Sequence, residues 1–368
     1  MDLYSHIEKL AREEGFNFVG LTRLEKDSPG SRLFNEWLEK GYQGEMTYLE
    51  RGADKRADPS RVLEGAKSII VLGWDYGKKT EGEGVPQKSP FISRYAWGKD
   101  YHEILGEKRK KLEVKLAQAF PEARFKGYVD TGPVMEKYWG SLAGLGWVGK
   151  HTNVIHPQEG SYFFLTCLLT DLQLTPSFPS ADHCGRCTAC LDVCPTRAIV
   201  APYVLDARLC ISYLTIELKG PIPRELRAGV GTHIFGCDDC QEVCPWNRHA
   251  RLPEEFLREA PVEELIGYLA LTPQEFKKRF ADSPVLRAKR RGFLRNVCVA
   301  LGNRREVSTV PALIQALQDE EALIRGHAAW ALGRFENESA KDALRRRYEV
   351  EPEAWVQEEI AFALIPFP

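Results

Sequence analysis

The chain has 368 residues and a formal net charge of −2, with 43% hydrophobic and 28% charged residues. This composition is typical of a globular protein, and no apolar run approaches the ~20 residues needed to cross a bilayer. The first residues carry neither the basic nor the apolar region of a leader, so we expect a cytoplasmic protein without membrane segments. At roughly 100–200 residues per domain, the length predicts two or three domains.

The first predicted domain, residues 1–178, mixes helices and strands. Amphipathic patterns predict a first helix near residues 6–14 and a long helix over 101–120. Apolar runs predict buried strands at 17–21, 68–72, 125–129 and 162–169. The sequence therefore predicts an α+β fold or a three-layer α/β domain.

A cysteine-rich segment, residues 179–250, follows directly. Its first motif, Cys184-x2-Cys187-x2-Cys190-x3-Cys194-Pro195, matches the bacterial ferredoxin run. In that run the first three thiolates bind one 4Fe-4S cluster and the fourth binds a second cluster. The motif predicts a ferredoxin-like domain that passes electrons.

The second cysteine motif is altered, because Cys210 lies far upstream of Cys237-x2-Cys240-x3-Cys244-Pro245. The crossed rule of the ferredoxins assigns four ligands to each of two clusters. The predicted ligands are Cys184, Cys187, Cys190 and Cys244 for the first cluster, and Cys194, Cys210, Cys237 and Cys240 for the second.

Two cysteines, Cys167 and Cys298, stand apart from these motifs, and we expect them to be buried apolar side chains. A pair of zinc ribbons is the alternative interpretation of Cys-x2-Cys spacing. Zinc sites need neither the third closely spaced cysteine nor the two Cys-Pro endings, which favours the iron–sulfur interpretation.

The last predicted domain, residues 251–368, is helical and repetitive. The segment 295–302 recurs at 325–333 and, more weakly, at 357–364, with Leu301 and Leu332 at matching positions. Further helical segments at 311–317 and 340–344 lie between these copies, so each period holds two helices. Paired helices at a fixed period predict a stacked array resembling HEAT repeats.

Positive charge is concentrated in this last domain. The segment 277–347 contains 16 Lys/Arg and 8 Asp/Glu, a local charge of 16 − 8 = +8, although the whole chain is slightly acidic. Such a local excess predicts a basic surface that faces a polyanion.

Three further segments carry a family resemblance together with the cysteine motifs and the repeats. They are 93–102 (Ser-Arg-Tyr-Ala-Trp-Gly-Lys-Asp-Tyr-His), 129–134 (Val-Asp-Thr-Gly-Pro-Val) and 144–153 (Gly-Leu-Gly-Trp-Val-Gly-Lys-His-Thr-Asn). Over nearly its whole length the chain resembles the epoxyqueuosine reductases. The resemblance implies a monomeric oxidoreductase that uses cobalamin and two 4Fe-4S clusters to convert epoxyqueuosine in tRNA to queuosine.

Within this resemblance Asp130 matches the position of the proton donor. Expulsion of an epoxide oxygen as an alkoxide is costly, and a carboxylic acid can protonate it as the bond breaks. We expect the acid to have a raised pKa, which burial against an apolar corrin face would provide. The alternative is that Asp130 only caps the turn that follows it.

The resemblance also places residues at the corrin, and the basic charge of the repeats fits tRNA. The predicted corrin contacts are Arg56, Ser93, Asp130, Val154, Ser212, Cys237 and Asp238. The predicted tRNA contacts are Lys289, Arg290, Arg291, Arg295 and Arg325, where cations would follow phosphates. An electron-donor protein of unknown identity is implied as a second partner.

Two other functions remain open at this stage. A reductive dehalogenase shares cobalamin and paired clusters. Two features argue against it: the missing twin-arginine signal, and the basic helical domain, which a small halocarbon substrate would not require. A ferredoxin-like electron carrier would leave the first domain unexplained. Lys150 follows a glycine-rich segment, but the spacing differs from that of a phosphate-binding loop.

Overall fold

The computed structural model of the chain describes residues 2–76, 91–250 and 262–365. The chain divides into two compact units, which are described separately below. The first unit comprises 1–84, 99–208 and 239–251, and the second comprises 85–98, 209–238 and 252–368. Within the described ranges, every helix is too short or too polar to span a membrane.

The helices and strands follow in chain order. The strands are β1 (Phe18–Arg23), β2 (Ser68–Asp75), β3 (Phe125–Tyr128), β4 (Trp147–Val148), β5 (Val154–Ile155), β6 (Phe163–Thr170), β7 (Ile199–Ala201) and β8 (Val204–Leu205). The helices up to the cysteine motifs are α1 (Leu3–Glu13), α2 (Pro29–Glu39), α3 (Thr47–Arg51), α4 (Ala53–Ala57), α5 (Tyr101–Ala119), α6 (Glu136–Leu142) and α7 (Ala189–Val193). Those that follow are α8 (Ile211–Ile216), α9 (Arg224–Val230), α10 (Asp239–Glu242), α11 (Val262–Leu269), α12 (Pro273–Arg279), α13 (Lys289–Arg304), α14 (Val310–Ala316), α15 (Ala322–Leu332), α16 (Glu338–Val350) and α17 (Ala354–Ala363).

A four-stranded antiparallel sheet forms the centre of the first unit, in the order β1-β2-β6-β3. β2 pairs with β1 on one side and with β6 on the other, and β3 pairs with β6. Seven of the eight residues of β2 are buried. This explains why the strand is apolar from Ile69 to Trp74 instead of alternating with polar residues.

Both faces of this sheet are covered. On one face, Ile70 and Leu72 of β2 pack with Ile7 of α1 and Leu112 of α5. On the other face, Ile69 and Val71 pack with Trp139 of α6. The alternation of side chains along a strand sends neighbouring residues to opposite faces, so the result is a three-layer helix–sheet–helix arrangement.

The predicted architecture is confirmed in its main features. The strands begin within one residue of the predicted positions, and α5 covers all but the last residue of the predicted long helix. The first helix begins earlier than predicted, because Asp2 caps it by accepting a hydrogen bond from the Ser5 amide. The boundaries between the three predicted domains stay a prediction.

Helices packed side by side form most of the second unit. α13, α15 and α17, which carry the three sequence copies, pack against one another in succession, and α14 and α16 lie between them in the chain. The paired-helix repeat predicted from the period is therefore present. Gly302 and Gly333 occupy equivalent places, and a Cβ there would lie 2.9 Å from Ala331 Cα and 2.7 Å from Ala363 Cα.

Candidate active site

Asp130 lies in the turn after β3, beside the start of α5. Its φ angle of 57° is in the left-handed region, which is uncommon for a residue other than glycine. The Tyr101 hydroxyl donates a hydrogen bond to Asp130 Oδ2 over 2.8 Å, and His102 Nε2 lies 3.3 Å from the same oxygen. Tyr101 is stacked between the rings of Phe164 and His102. The strained turn therefore presents its carboxylate to two side chains from the first turn of α5.

The imidazole of His102 connects two carboxylates. Its Nδ1 lies 2.8 Å from Asp100 Oδ1, and Asp100 also caps α5 by accepting the His102 amide hydrogen. Burial lowers the pKa of His102, but hydrogen bonds to Asp100 and Asp130 outweigh this and raise it to about 9. The ring is therefore protonated at neutral pH, and both of its N–H groups have an acceptor.

The Asp130 carboxylate lies at the surface of the first unit. Its side chain is 55% exposed, and the Tyr101 hydroxyl and the His102 imidazole lie within hydrogen-bond distance of it. His102 holds a proton at neutral pH, and its Nε2 lies 3.3 Å from Asp130 Oδ2.

A second carboxylate, Glu136, is partly buried at the start of α6, with its Oε1 excluded from solvent, and the sequence did not indicate it. Burial, opposed by its own backbone amide and reinforced by the charge of Asp130, raises the pKa of Glu136 to about 8. Arg56 on α4 opposes this rise, and its own pKa is lowered by burial. In the part of the chain that the structure describes, Glu136 Oε1 and Arg56 Nη1 have no hydrogen-bond partner.

The remaining predicted corrin contacts fall into two groups. In the first unit, Val154 is buried in the β4–β5 hairpin. In the second unit, the Ser93 hydroxyl and the Arg94 amide donate hydrogen bonds to the partly buried carboxylate of Asp238. Ser212 and Cys237 are partly buried in that unit. The structure thus brings Ser93 and Asp238 together.

The four thiols predicted to bind the first cluster lie near one another in the first unit. Burial, followed by the charges of Cys184, Cys244 and Cys187, raises the pKa of Cys190 to about 11. α7 and α10, which carry the two motifs, pack together. Of the thiols predicted for the second cluster, Cys194 accepts a hydrogen bond from the Ala198 amide, and Cys237 lies 3.9 Å from His233 Nε2.

The expectation that Arg295 contacts tRNA is wrong. Its side chain is fully buried and donates hydrogen bonds to the carbonyl oxygens of Leu214, Leu218 and Gly220. A guanidinium with this many partners in the protein interior is not available to a phosphate. Arg295 instead connects α13 by hydrogen bonds to α8 and to the segment that follows it.

Arg325 is a second correction. It is buried and forms a bidentate ion pair with Glu351, whose side chain is also fully buried. Arg290 is half-buried and pairs with Asp319. Lys289 and Arg291 are exposed, and only these two of the five predicted cations present their charge to solvent without a buried pairing.

Three family models match the chain. One described as "Epoxyqueuosine reductase QueG, DUF1730" matches residues 56–131, which span Arg56 and Asp130. A 4Fe-4S double cluster binding domain matches 183–247, and HEAT repeats match 285–365. These matches agree with the cysteine motifs and with the helical repeats.

Curated relatives decide the family. The epoxyqueuosine reductase of Pseudomonas aeruginosa is 43% identical over 349 residues, which cover 90% of this chain and 94% of the relative. That of Escherichia coli is 40% identical over 337 residues, covering 90% and 89%. The chain belongs to the epoxyqueuosine reductase family. Among solved structures, an epoxyqueuosine reductase with a tRNA-Tyr epoxyqueuosine-modified stem loop is 31% identical, with a TM-score of 0.87 and 98% coverage of both chains.

Membership of the epoxyqueuosine reductase family makes the chain an oxidoreductase whose cofactors are two 4Fe-4S clusters and cobalamin. The residues present fit both groups. The two motifs contain eight cysteines, which is the number of thiolates that two cubanes need. Arg56 Nη1 is a buried donor without a partner in the described chain, which suits the amide oxygens on the rim of a corrin.

Proposed function

We propose that the chain removes the epoxide oxygen of epoxyqueuosine at the wobble position of tRNA in the cytoplasm, with Asp130 and His102 as the proton source. The observation that carries this proposal is the contact of Asp130 with a protonated imidazole in a member of this family. The reaction breaks both carbon–oxygen bonds of the epoxide and forms an alkene. It consumes two electrons and two protons and releases water.

The charge that develops on the leaving oxygen determines what the protein must supply. An alkoxide is a poor leaving group, so a proton must reach the oxygen as the bond breaks. In our proposal Asp130 touches that oxygen and passes on a proton from His102, whose charge Asp100 stabilises. Tyr101 holds the Asp130 carboxylate through its hydroxyl. Bound cobalamin supplies the redox chemistry at the carbon atoms.

The cofactor ligands are proposed as the sequence assigned them. Cys184, Cys187, Cys190 and Cys244 hold the first cluster, which the proximity of these thiols supports. Cys194, Cys210, Cys237 and Cys240 hold the second. The corrin is contacted by Arg56, Ser93, Val154, Ser212, Cys237 and Asp238. The two clusters deliver single electrons in sequence, received from a donor protein.

The tRNA surface is proposed to include Lys289 and Arg291. Both cations are exposed on α13, where they are free of the buried pairings that engage Arg295 and Arg325. Phosphate contacts of this kind give affinity without sequence recognition. The wobble nucleotide must in addition be turned out of the anticodon loop into a pocket.

A modification assay tests the proposed function. Anaerobically reconstituted protein, loaded with cobalamin and chemically reduced, is incubated with tRNA that contains epoxyqueuosine, and the tRNA is digested to nucleosides. We expect queuosine to form in proportion to the electrons consumed, two per product. Absence of queuosine from protein with full iron and cobalamin content would refute the proposal. A halogenated phenol offered in place of tRNA should not be consumed.

A further inference from the structure

The segment 144–153 is rich in glycine and contains Lys150. It has no role in the acid site described above. Its glycines serve close backbone packing. A Cβ on Gly146 would lie 2.0 Å from Ile155 O, and one on Gly149 would lie 2.5 Å from the Ile155 side chain. These contacts hold β4 and β5 in a tight hairpin. The hairpin thereby fixes the positions of Trp147 and Lys150.

Trp147 contacts a predicted cluster ligand. Its indole Nε1 donates a hydrogen bond to Cys184 Sγ over 3.5 Å. The ring is only 3% exposed and meets Trp246 edge-to-face, with 4.9 Å between ring centroids. Trp147, Ile155 and Trp246 surround Cys184 and Cys244 with apolar surface. The thiol of Cys184 is thus partly buried and accepts a hydrogen bond from a buried indole.

Lys150 contacts the loop between the first two ligands. Its Nζ donates hydrogen bonds to Gly185 O over 2.7 Å and to Cys187 O over 2.8 Å. The residue is 8% exposed, so its charge is poorly screened by water. Arg186 lies on the same loop but is exposed. The negative charge of Asp182 opposes that of Lys150, and its carboxylate accepts a hydrogen bond from the Cys184 amide.

We propose that Trp147 and Lys150 are positioning residues of the first 4Fe-4S cluster that hold its loop and raise its reduction potential. A cluster with four thiolate ligands is anionic and gains a further negative charge on reduction. Hydrogen bonds to a ligand sulfur and a buried positive charge therefore stabilise the reduced form more than the oxidised form. Exclusion of water by the aromatic rings strengthens both effects.

This inference rests on the ligand assignment of the first cluster and not on the tRNA substrate. Its consequence for the proposed function is a first cluster that accepts electrons more readily than it would without the hairpin. A failed modification assay would refute the proposed function but not this inference. Unchanged cluster potentials in the variants would refute this inference but not the proposed function.

The test is a redox titration of the reconstituted full chain, followed by the electron paramagnetic resonance signals of its reduced clusters. The variants are Trp147→Phe, which removes the N–H and keeps the aromatic ring, and Lys150→Met, which removes the charge and keeps the length. Arg186→Met is the matched control, because it removes one positive charge from the same loop at an exposed position.

We expect each of Trp147→Phe and Lys150→Met to lower one of the two midpoint potentials and to leave the other unchanged. The expected effect is about a tenfold decrease in the equilibrium constant for one-electron reduction, which corresponds to about 59 mV. Arg186→Met should change neither potential measurably, because water screens its charge. Unchanged potentials in both hairpin variants, or an equal shift in Arg186→Met and Lys150→Met, would overturn the proposal.

Lys150→Met could instead prevent assembly of the first cluster. Iron analysis then reads about four iron atoms per chain in place of about eight, since each cubane holds four. Loss of iron in this variant with full iron in Arg186→Met supports the role of Lys150 in holding the loop. Trp147→Phe then tests whether the hairpin raises the reduction potential of the first cluster, and an unchanged midpoint potential in that variant would refute this effect.

Discussion

Asp130 in the first unit and two arginines of the second unit differ in exposure and in what they contact. In the first unit, Asp130 is more than half exposed, and its Oδ2 lies 3.3 Å from Nε2 of His102. In the second unit, Arg295 and Arg325 are buried and bind carbonyl oxygens or Glu351. Exposed groups with a proton to give are suited to chemistry, whereas buried groups with every donor engaged stabilise the fold. Substitutions should therefore separate turnover from stability.

The largest effect is expected from Asp130→Asn. This change keeps the shape of the side chain but removes a group that can carry a proton. General acid catalysis contributes roughly 100–10,000-fold, so the single-turnover rate with reduced cofactors should fall by that factor. The cobalamin content, the iron content and the affinity for tRNA should be unchanged.

Asp54→Asn is the matched control for this prediction, since the Asp54 side chain is 53% exposed and pairs with Arg61. Its single-turnover rate should equal that of the wild type. A near-normal rate in Asp130→Asn would remove the acid role, and loss of cobalamin would show that Asp130 holds the cofactor.

Arg325→Met tests the buried half of the comparison. The change leaves Glu351 with Arg347 as its remaining ionic partner in the protein interior. Breaking a buried ion pair costs about 3–5 kcal/mol, and the remaining partner places this case at the lower end. Denaturation of the purified protein should show the loss as a lower unfolding midpoint.

Arg346→Met is the control for Arg325→Met, because Arg346 is exposed on α16. Its effect on stability should stay within about 0.5 kcal/mol. Equal stability of the two variants, or weaker tRNA binding by a stable Arg325→Met protein, would contradict the structural role of Arg325.

His102→Gln sharpens the acid half of the comparison. The pKa of His102 is raised to about 9, so the proton is present below that pH and is lost as the pH rises through it. The wild-type single-turnover rate should therefore decrease above pH 9. In His102→Gln the decrease should begin at a lower pH, with a rate about tenfold lower near neutrality.

The control for His102→Gln is His6→Gln on α1, which should keep the wild-type pH profile. An unchanged alkaline limb in His102→Gln would show that the proton comes from another group. Tyr101→Phe adds a second comparison, since it removes the hydrogen bond from Tyr101 to Asp130 and leaves the proton of the His102 ring in place.

The smallest effect is expected from the double change Lys289→Ala and Arg291→Ala. Removal of two exposed cations should weaken tRNA binding and reduce the slope of log K against log salt by up to about two phosphate contacts. Lys110→Ala with Lys111→Ala on α5 removes the same charge from the first unit. Equal slopes in the two double variants would exclude Lys289 and Arg291 from the tRNA surface.

The sequence by itself determined the structural features that depend on consecutive residues or on a fixed repeat period. Cysteine spacing within a loop predicted the two-cluster segment, because a short loop can surround a cubane only with such spacing. A period of 31 residues between Leu301 and Leu332 predicted the paired helices, and apolar runs predicted β2 and β6. Each of these features depends on neighbours along the chain, so local patterns are sufficient.

Only the tertiary structure decided which charged residues meet. The contact of His102 with Asp130 joins residues 28 apart, and that of Lys150 with Cys187 joins residues 37 apart. The burial of Arg295 depends on carbonyl oxygens 75–81 residues away. Local sequence does not distinguish an arginine that faces solvent from one that faces unpaired carbonyl groups, because both have the same composition around them. The difference is the desolvation and hydrogen bonding that distant segments impose when the chain folds.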